Sequence, residues 1–409
     1  MNVYNEKLNH LTAETFTRLN QVIEAHLPDN APAVAMAVIH EGRWLLEAGW
    51  HNSDTQPDGL TESALFDLAS VTKPFTATAF LALVSAGKVA LDDPIVTVIP
   101  EFGAVNPRGM DGGQDPHTKA LLPTPENVYG HTIDPAHVTF RHLLNHTSGL
   151  APWRAVYLAA GAPPTPPDTP DPVSRETRWS NGLGMICESL FVGEPGDTVR
   201  YSDLGMMLLG ETVARLYGGT LDAAVQALVL DPLKLTSVTY NPVRNGRDRR
   251  MIPPTEHDPA WRGRRCWGEV HDENACGVGG VAGHAGLFGT AHDIASFGQA
   301  WLSKDARLGI APELMQAAIT HQVGGEDGTF RIGYCWMLKA YEDSSAGVHF
   351  SQESFGHTGF TGTSLWVDPE KSLVVACLTN RVYPGREVPG IHALRQAVHS
   401  TLAEGIMSK

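Results

Sequence analysis

Cysteine is scarce in this chain of 409 residues, which holds only Cys187, Cys266, Cys276, Cys335 and Cys377. The set is odd and contains no Cys-x-x-Cys pair. That excludes a disulfide framework and fits reduced thiols packed in a core. No apolar run approaches the roughly 20 residues a membrane-spanning helix needs. The first stretch, MNVYNEKLNHLTAETFTRLNQVIEAHL, is polar with a helical rhythm and lacks the basic start and apolar centre of a secretory leader. These features predict a cytoplasmic protein. Positive charge is also short: 30 Lys and Arg against 45 Asp and Glu leave a formal net charge of −15. An acidic surface excludes nucleic acid and anionic membranes as main partners. Histidine is plentiful at 18 residues. Yet there is no His-Glu-x-x-His and no compact His pair backed by a carboxylate, so no metal and no cofactor is predicted.

What is present suits a globular fold. Hydrophobic residues make up 42% and charged residues 18%, enough for a sizeable core. Residues 11–27 read as an amphipathic helix. Residues 33–39 (AVAMAVI) and 43–49 (RWLLEAG) flank a turn and predict a β-hairpin. Near residue 74 the rhythm turns helical, with Pro74 in the first turn and Gly87 as a stop. Helical patterns return at 203–217 and 220–229, and strand-like runs (GYCWML, SLWVDP, LVVACLTN) follow residue 330. A helix, HALRQAVHSTLAEGIM, closes the chain. Strands at both ends and helices between them predict one sheet built from both termini around a helical insertion. The stretches 104–136 and 162–172, rich in Gly and Pro, read as irregular segments expected to cover a cleft.

One pair raises a chemical question. In FDLASVTKPFTATAFLALVSAGK, Ser70 and Lys73 lie three residues apart where a helix begins. Residues i and i+3 share a helix face. The free N–H groups of a first turn stabilise developing negative charge. A Ser hydroxyl becomes a nucleophile when a neighbouring base takes its proton. A Lys serves as that base if burial or nearby positive charge lowers its pKa. Taken alone, the same spacing describes a helix cap followed by a surface lysine.

The context is more specific. LASVTKPFTA is followed by VTFRHLLNHTSGL (138–150), PGDTVRYSDLGMMLLG (195–210), GGVAGHAGLFGTAHDIASF (279–297) and FGHTGFTGTSLWVDPE (355–370). This ordered series resembles the serine β-lactamase and penicillin-binding-protein superfamily, nearest its class C-like branch with family VIII carboxylesterases and D-amino-acid peptidases. The resemblance spans roughly residues 30–400. It implies an α+β fold with an antiparallel sheet, as a single catalytic domain over 1–409. An α/β lobe of about 1–70 and 280–409 would carry a helical lobe of about 71–279. It also implies that Ser70 is acylated, that Lys73 and Tyr201 share proton transfer, and that His357 stands where β-lactamases carry Lys. The Ser70 and Phe360 N–H groups would form the oxyanion hole, with Thr358 and Gly359 on the strand edge lining the site. Arg141, His142, His146, Ser148 and Gly149 would support it. The polar stretch WGEVHDENACGVGG (267–280) is expected either at the floor or rim of the site or in a structural role.

Two departures bear on substrate. The motif reads Tyr-Ser-Asp where β-lactamases and transpeptidases have Tyr-x-Asn. Asp203 only accepts hydrogen bonds when ionised, so it favours a donor or cationic group over a carbonyl. If close, it also stabilises the protonated form of Lys73 and shifts the base role toward Tyr201. His357 is largely neutral at pH 7 and attracts a substrate carboxylate less than Lys would. The expectation is a serine hydrolase acting on a small ester, amide or peptide. The alternatives are a D-Ala-D-Ala carboxypeptidase or weak β-lactamase, and a non-catalytic ligand-binding relative.

Overall fold

A computed structural model describes residues 2–27, 29–324 and 330–407. The AVAMAVI segment alternates two sets of buried side chains. Ala33, Ala35, Ala37 and Ile39 face one layer, and Val34, Met36 and Val38 face the other. A strand buried on both faces belongs at the centre of a sheet. Nine strands form that sheet among the described residues: β1 (Asn2–Asn9), β2 (Ala33–His40), β3 (Arg43–Asn52), β4 (Val323–Gly324), β5 (Arg331–Ile332), β6 (Met337–Leu338), β7 (Phe355–Thr358), β8 (Ser364–Asp368) and β9 (Leu373–Thr379). The order across it is β1-β3-β2-β9-β8-β7-β6-β5-β4, antiparallel throughout. The β2–β9 pairing joins the two ends of the chain, as expected for this α+β class.

Helices cover both faces. Helix α1 (Ala13–His26) brings Leu19 and Ile23, and the C-terminal helix brings Leu394, Val398 and Leu402, onto Val34, Met36 and Val38. On the opposite face, the helix Ala291–Leu302 packs against β2, β8 and β9. Its Gly298 lies so close that an added Cβ would sit 2.8 Å from both Leu365 Cδ1 and Val374 Cγ1. Helix α2 (Thr72–Ser85) is buried on every side from Thr72 to Leu83, which makes it an interior helix. Phe75 stacks on Phe297 with ring centroids 3.9 Å apart. Helix α3 (Asp203–Tyr217) packs beside α2, capped by Ser202 and ended by Gly218 in the left-handed region. No helix among the described residues is long and apolar enough to cross a membrane.

Two expectations need correction. Residues 2–9 do not share the helical rhythm that follows; they form edge strand β1, paired with β3 from Asn2–Asn52 to Asn9–Leu46 with a register shift between Glu6 and Leu8. The strand is polar and mostly exposed, so no alternation marks it, and its Asn, Glu and Lys side chains keep the outer edge wet. GYCWML is not a continuous strand: Cys335, at φ +65°, turns the chain between β5 and β6. The 220–229 pattern is helical as expected, as Leu221–Val225 continued by a π-helical turn, Gln226–Leu230.

Candidate active site

Ser70 lies on a single 3-10 turn, Ala69–Val71, that runs directly into α2. Ala69 has φ +46°, a strained value for a residue with a Cβ. The Asp67 carboxylate holds it there by accepting the Ala69 N–H at 2.9 Å. Lys73 is completely buried and its Nζ donates to Ser70 Oγ at 2.8 Å and to the His284 carbonyl at 3.2 Å. Pro74 occupies the first turn of α2, where its missing N–H forfeits no helical bond.

Tyr201 and Asp203 arrive from the N-terminus of α3. Ser202 caps that helix through the Gly205 N–H (3.1 Å), and its hydroxyl donates to the Ala151 carbonyl (2.8 Å). The Ser202 N–H donates to His146 Nδ1 at 3.1 Å and the Arg200 N–H to the His146 carbonyl at 2.7 Å. His146 and Ala151 therefore fix the backbone on both sides of Tyr201. The Tyr201 ring centre lies 4.7 Å from Lys73 Nζ, and Lys73 and Ser70 both lower the pKa of its hydroxyl. Asp203 Oδ1 lies 2.8 Å from Lys73 Nζ.

This ion pair sets the electrostatics. Burial alone would lower the Lys73 pKa, but Asp203 and Tyr201 outweigh it and hold the ammonium above its ordinary value. A lowered Lys73 pKa, the ordinary route to a lysine base, is thus not what the site has. Tyr201 is pushed up to about 12, chiefly by burial, with Lys73 pulling down and Asp203 pushing up. At neutral pH the resting site holds a charged Lys73 and a neutral Tyr201.

The strand-edge residues divide into two groups. Phe360 is 38% exposed at the rim, with His271 stacked on it at 5.8 Å and the Arg381 guanidinium 4.5 Å from its ring centre. His357, on β7, is buried behind Tyr201, with ring centroids 6.0 Å apart. Its Nδ1 bonds the Thr358 carbonyl at 2.8 Å, and burial followed by Lys73 lowers its pKa to about 3. It is neutral and does not line the cavity. Thr358 also faces away, its hydroxyl against Met337 sulfur at 3.9 Å. Gly359 lies against the nucleophile turn: an added Cβ would be 2.6 Å from the Leu68 carbonyl oxygen.

A cavity of about 250 Å³ opens over Ser70, Tyr201, Asp203 and Phe360. Its other walls include His117 and Lys119 from the 104–136 segment, His271, Asp272 and Glu273 from the 267–280 segment, and His284. The Asp272 carboxylate accepts from the Ala275 N–H at 2.7 Å and pairs with His284 Nε2 at 2.8 Å. Burial pushes its pKa up, yet His284 and the Ala275 N–H hold it below the ordinary value. Arg386 bridges Glu256 (2.7 Å) and Glu273 (2.9 Å). Asp203, Asp272 and His284 offer one ligand atom each within 4.8 Å of one another, a set able to hold a metal ion. Lys73 already supplies that set with a cation. The polar density of 267–280 was the signal for its wall residues, whereas nothing around Arg386 marks it in the sequence. The 162–172 segment does not reach this cavity. It borders another of about 370 Å³, lined also by Arg178, Asn241, Arg244 and Glu269.

With this geometry in hand, comparison with known proteins is informative. The family model described as Beta-lactamase matches residues 19–399. The chain belongs to the beta-lactamase family. It is a serine hydrolase of that superfamily, whose members act on small substrates. This beta-lactamase-family chain is 29% identical over 395 residues to an Escherichia coli (strain K12) protein named "Putative D-alanyl-D-alanine carboxypeptidase", covering 89% of this chain and 82% of that protein. In fold it is similar to unliganded simvastatin synthase (LovD) from Aspergillus terreus, with TM-score 0.68, 17% identity and coverage of 96% and 98%. It is also similar to EstCE1, a hydrolase with promiscuous acyltransferase activity, with TM-score 0.65, 18% identity and coverage of 94% and 98%.

Proposed function

We propose that this protein hydrolyses small esters or amides through an acyl-enzyme on Ser70, as a carboxylesterase or D-amino-acid peptidase would. The observation that carries this reading is the 2.8 Å contact between Lys73 Nζ and Ser70 Oγ, with the Tyr201 ring beside Lys73 at 4.7 Å. Reaction begins once the Lys73–Tyr201 pair has lost one proton. The pair then takes the Ser70 proton as Oγ bonds to the substrate carbonyl carbon. The carbonyl oxygen becomes an oxyanion held by the Ser70 and Phe360 N–H groups, each worth about 3 kcal/mol of barrier by analogy with other acyl-transfer sites. The intermediate collapses as the leaving group takes the proton from the pair. Water repeats the sequence and releases the acid. His357 has no direct part; it backs Tyr201.

The carboxypeptidase name of the Escherichia coli relative supports a second reading. Against it, His357 is neutral, and Lys119 and Arg386 on the cavity wall are engaged by Glu273 and Glu256. A lasting penicillin adduct on Ser70, seen by intact mass, would favour it. The five buried free thiols support action in the reducing cytoplasm. We also propose one catalytic domain, with a sheet lobe near 1–70 and 280–409 and a helical lobe near 71–279.

The test is p-nitrophenyl acetate hydrolysis by wild type and Ser70→Ala. Loss of about 10⁴-fold or more in the variant is expected for a nucleophile. Full activity in Ser70→Ala rejects the reading.

A further inference from the structure

Two threonines flank Gly362 on the far side of Phe360, and neither has a part in the proton transfers above. Both are completely buried. Thr361 Oγ1 donates to the Asp67 carbonyl at 2.7 Å, and Thr363 Oγ1 donates to the Leu68 carbonyl at 2.9 Å. The turn that carries Phe360 is thereby fastened to the turn that carries Ser70 at two successive carbonyls. Each side of this joint is braced. The Gly359 N–H donates to the Thr363 carbonyl at 2.8 Å, and Arg395 bridges the Gly359 and Thr363 carbonyls at 2.7 and 2.8 Å. The Asp67 carboxylate accepts the Ala69 N–H at 2.9 Å and the His271 N–H at 2.6 Å. The His271 ring in turn stacks on Phe360.

We propose that Thr361 and Thr363 are positioning residues that set the separation of the Ser70 and Phe360 N–H groups, so that both reach one oxyanion. The inference rests on the acyl-enzyme reading above. The two donors lie on segments that no strand pairing or helix joins directly, so their spacing depends on side-chain bonds. A donor acts only when it lies about 2.7–3.1 Å from the developing charge. The threonine hydroxyls give that spacing a hydrogen-bonded stop, and the close seat of Gly359 on the Leu68 carbonyl prevents closer approach.

The experiment compares the Thr361→Val/Thr363→Val pair with the Thr361→Ser/Thr363→Ser pair. Valine keeps the shape and removes the hydroxyl; serine keeps the hydroxyl. Two readouts are used: kcat and KM on p-nitrophenyl acetate, and the rate at which an alkyl fluorophosphonate labels Ser70, followed by intact mass. In labelling, Ser70 Oγ bonds to phosphorus, fluoride leaves and the serine proton passes to the Lys73–Tyr201 pair. The Val pair is expected to lose about 10²-fold in kcat and labelling rate, the cost of a misplacement near 1 Å, with KM changed by less than about threefold. The Ser pair should recover most of both rates. The proposal is overturned if the Val pair keeps both rates within about fivefold, if KM alone rises, or if the Ser pair is as slow as the Val pair. If the Val pair shows no cooperative thermal transition, the single Val variants are judged against their Ser counterparts by the same criteria. Labelling that is absent in wild type, or undiminished in Ser70→Ala, instead removes the acyl-enzyme reading, and the proposal falls with it.

Discussion

The cavity over Ser70 and the cavity beside residues 162–172 are both rimmed by arginine, and the second is larger, about 370 against 250 Å³, and more polar in its lining. Size and polarity would favour the wrong one. In the larger cavity the cations are spent on fixed partners: Arg175 on Asp222 (2.6 Å), Arg178 on Asp171 (3.0 Å), and Arg244 on the Thr169 and Thr165 carbonyls. The thiol on its wall, Cys276, is pushed up to about 12 by burial and stays protonated. At Ser70, a hydroxyl and an amine touch at 2.8 Å, with the Tyr201 phenol ring beside the amine. Contact among groups that can exchange a proton, placed beside a nucleophile, separates a reaction site from a polar hollow.

Substitutions sharpen or break that contrast. The largest effect after Ser70 itself is expected from Lys73→Met, which keeps the stem and removes the proton carrier. It should lower kcat by about 10³–10⁴-fold, at the upper end of what acid–base groups contribute. Thermal unfolding measured alongside should also report a loss, because Asp203 is left without its ion partner. More than a tenth of the wild-type rate would break the assignment. Asp203→Asn tests the electrostatics. The Asp203 carboxylate stabilises the protonated Lys73 and opposes Tyr201 ionisation, so removing it favours the deprotonated pair. The rising limb of kcat/KM against pH should therefore move to lower pH; an unmoved or higher limb would reject the scheme. The smallest effect is expected in the other cavity. Arg244→Ala should leave kcat/KM within about twofold and cost at most about 1 kcal/mol of stability by denaturant unfolding, as for a partly exposed side-chain bond. A loss above about fivefold would join the two cavities functionally.

Much of this was legible before any coordinates. The apolar run 33–39 beside 43–49 reads as one arm of a hairpin, and the helical rhythm of 203–217 gives the bounds of α3. Ser70 with Lys73 is a local pair at a helix start, but only the resemblance carried by the ordered motifs gives it weight and adds Tyr201 and Asp203. The rest depends on distance in space. The sign of the Lys73 pKa shift follows from a 2.8 Å contact with a residue far along the chain, which no spacing encodes. His357 reads as a site residue from its motif, yet the strand turns it behind Tyr201. Arg386 and Lys119 reach the cavity only through tertiary packing. Strand β1 was hidden because its few apolar residues, Val3, Tyr4 and Leu8, fall among polar ones without a regular period.

The pairing of β2 with β9 has a consequence for synthesis. The Ala33 N–H donates to Asn380 Oδ1 across a sequence separation of 347 residues. At about 5–20 residues per second, a ribosome needs roughly 20 to 70 seconds to deliver that partner after β2 has emerged. Throughout that interval the β2–β3 hairpin presents an open, apolar edge of the kind that recruits foreign strands. The sheet that seats the Phe360 turn closes only after β9 has been made, and until then that open edge is an aggregation hazard.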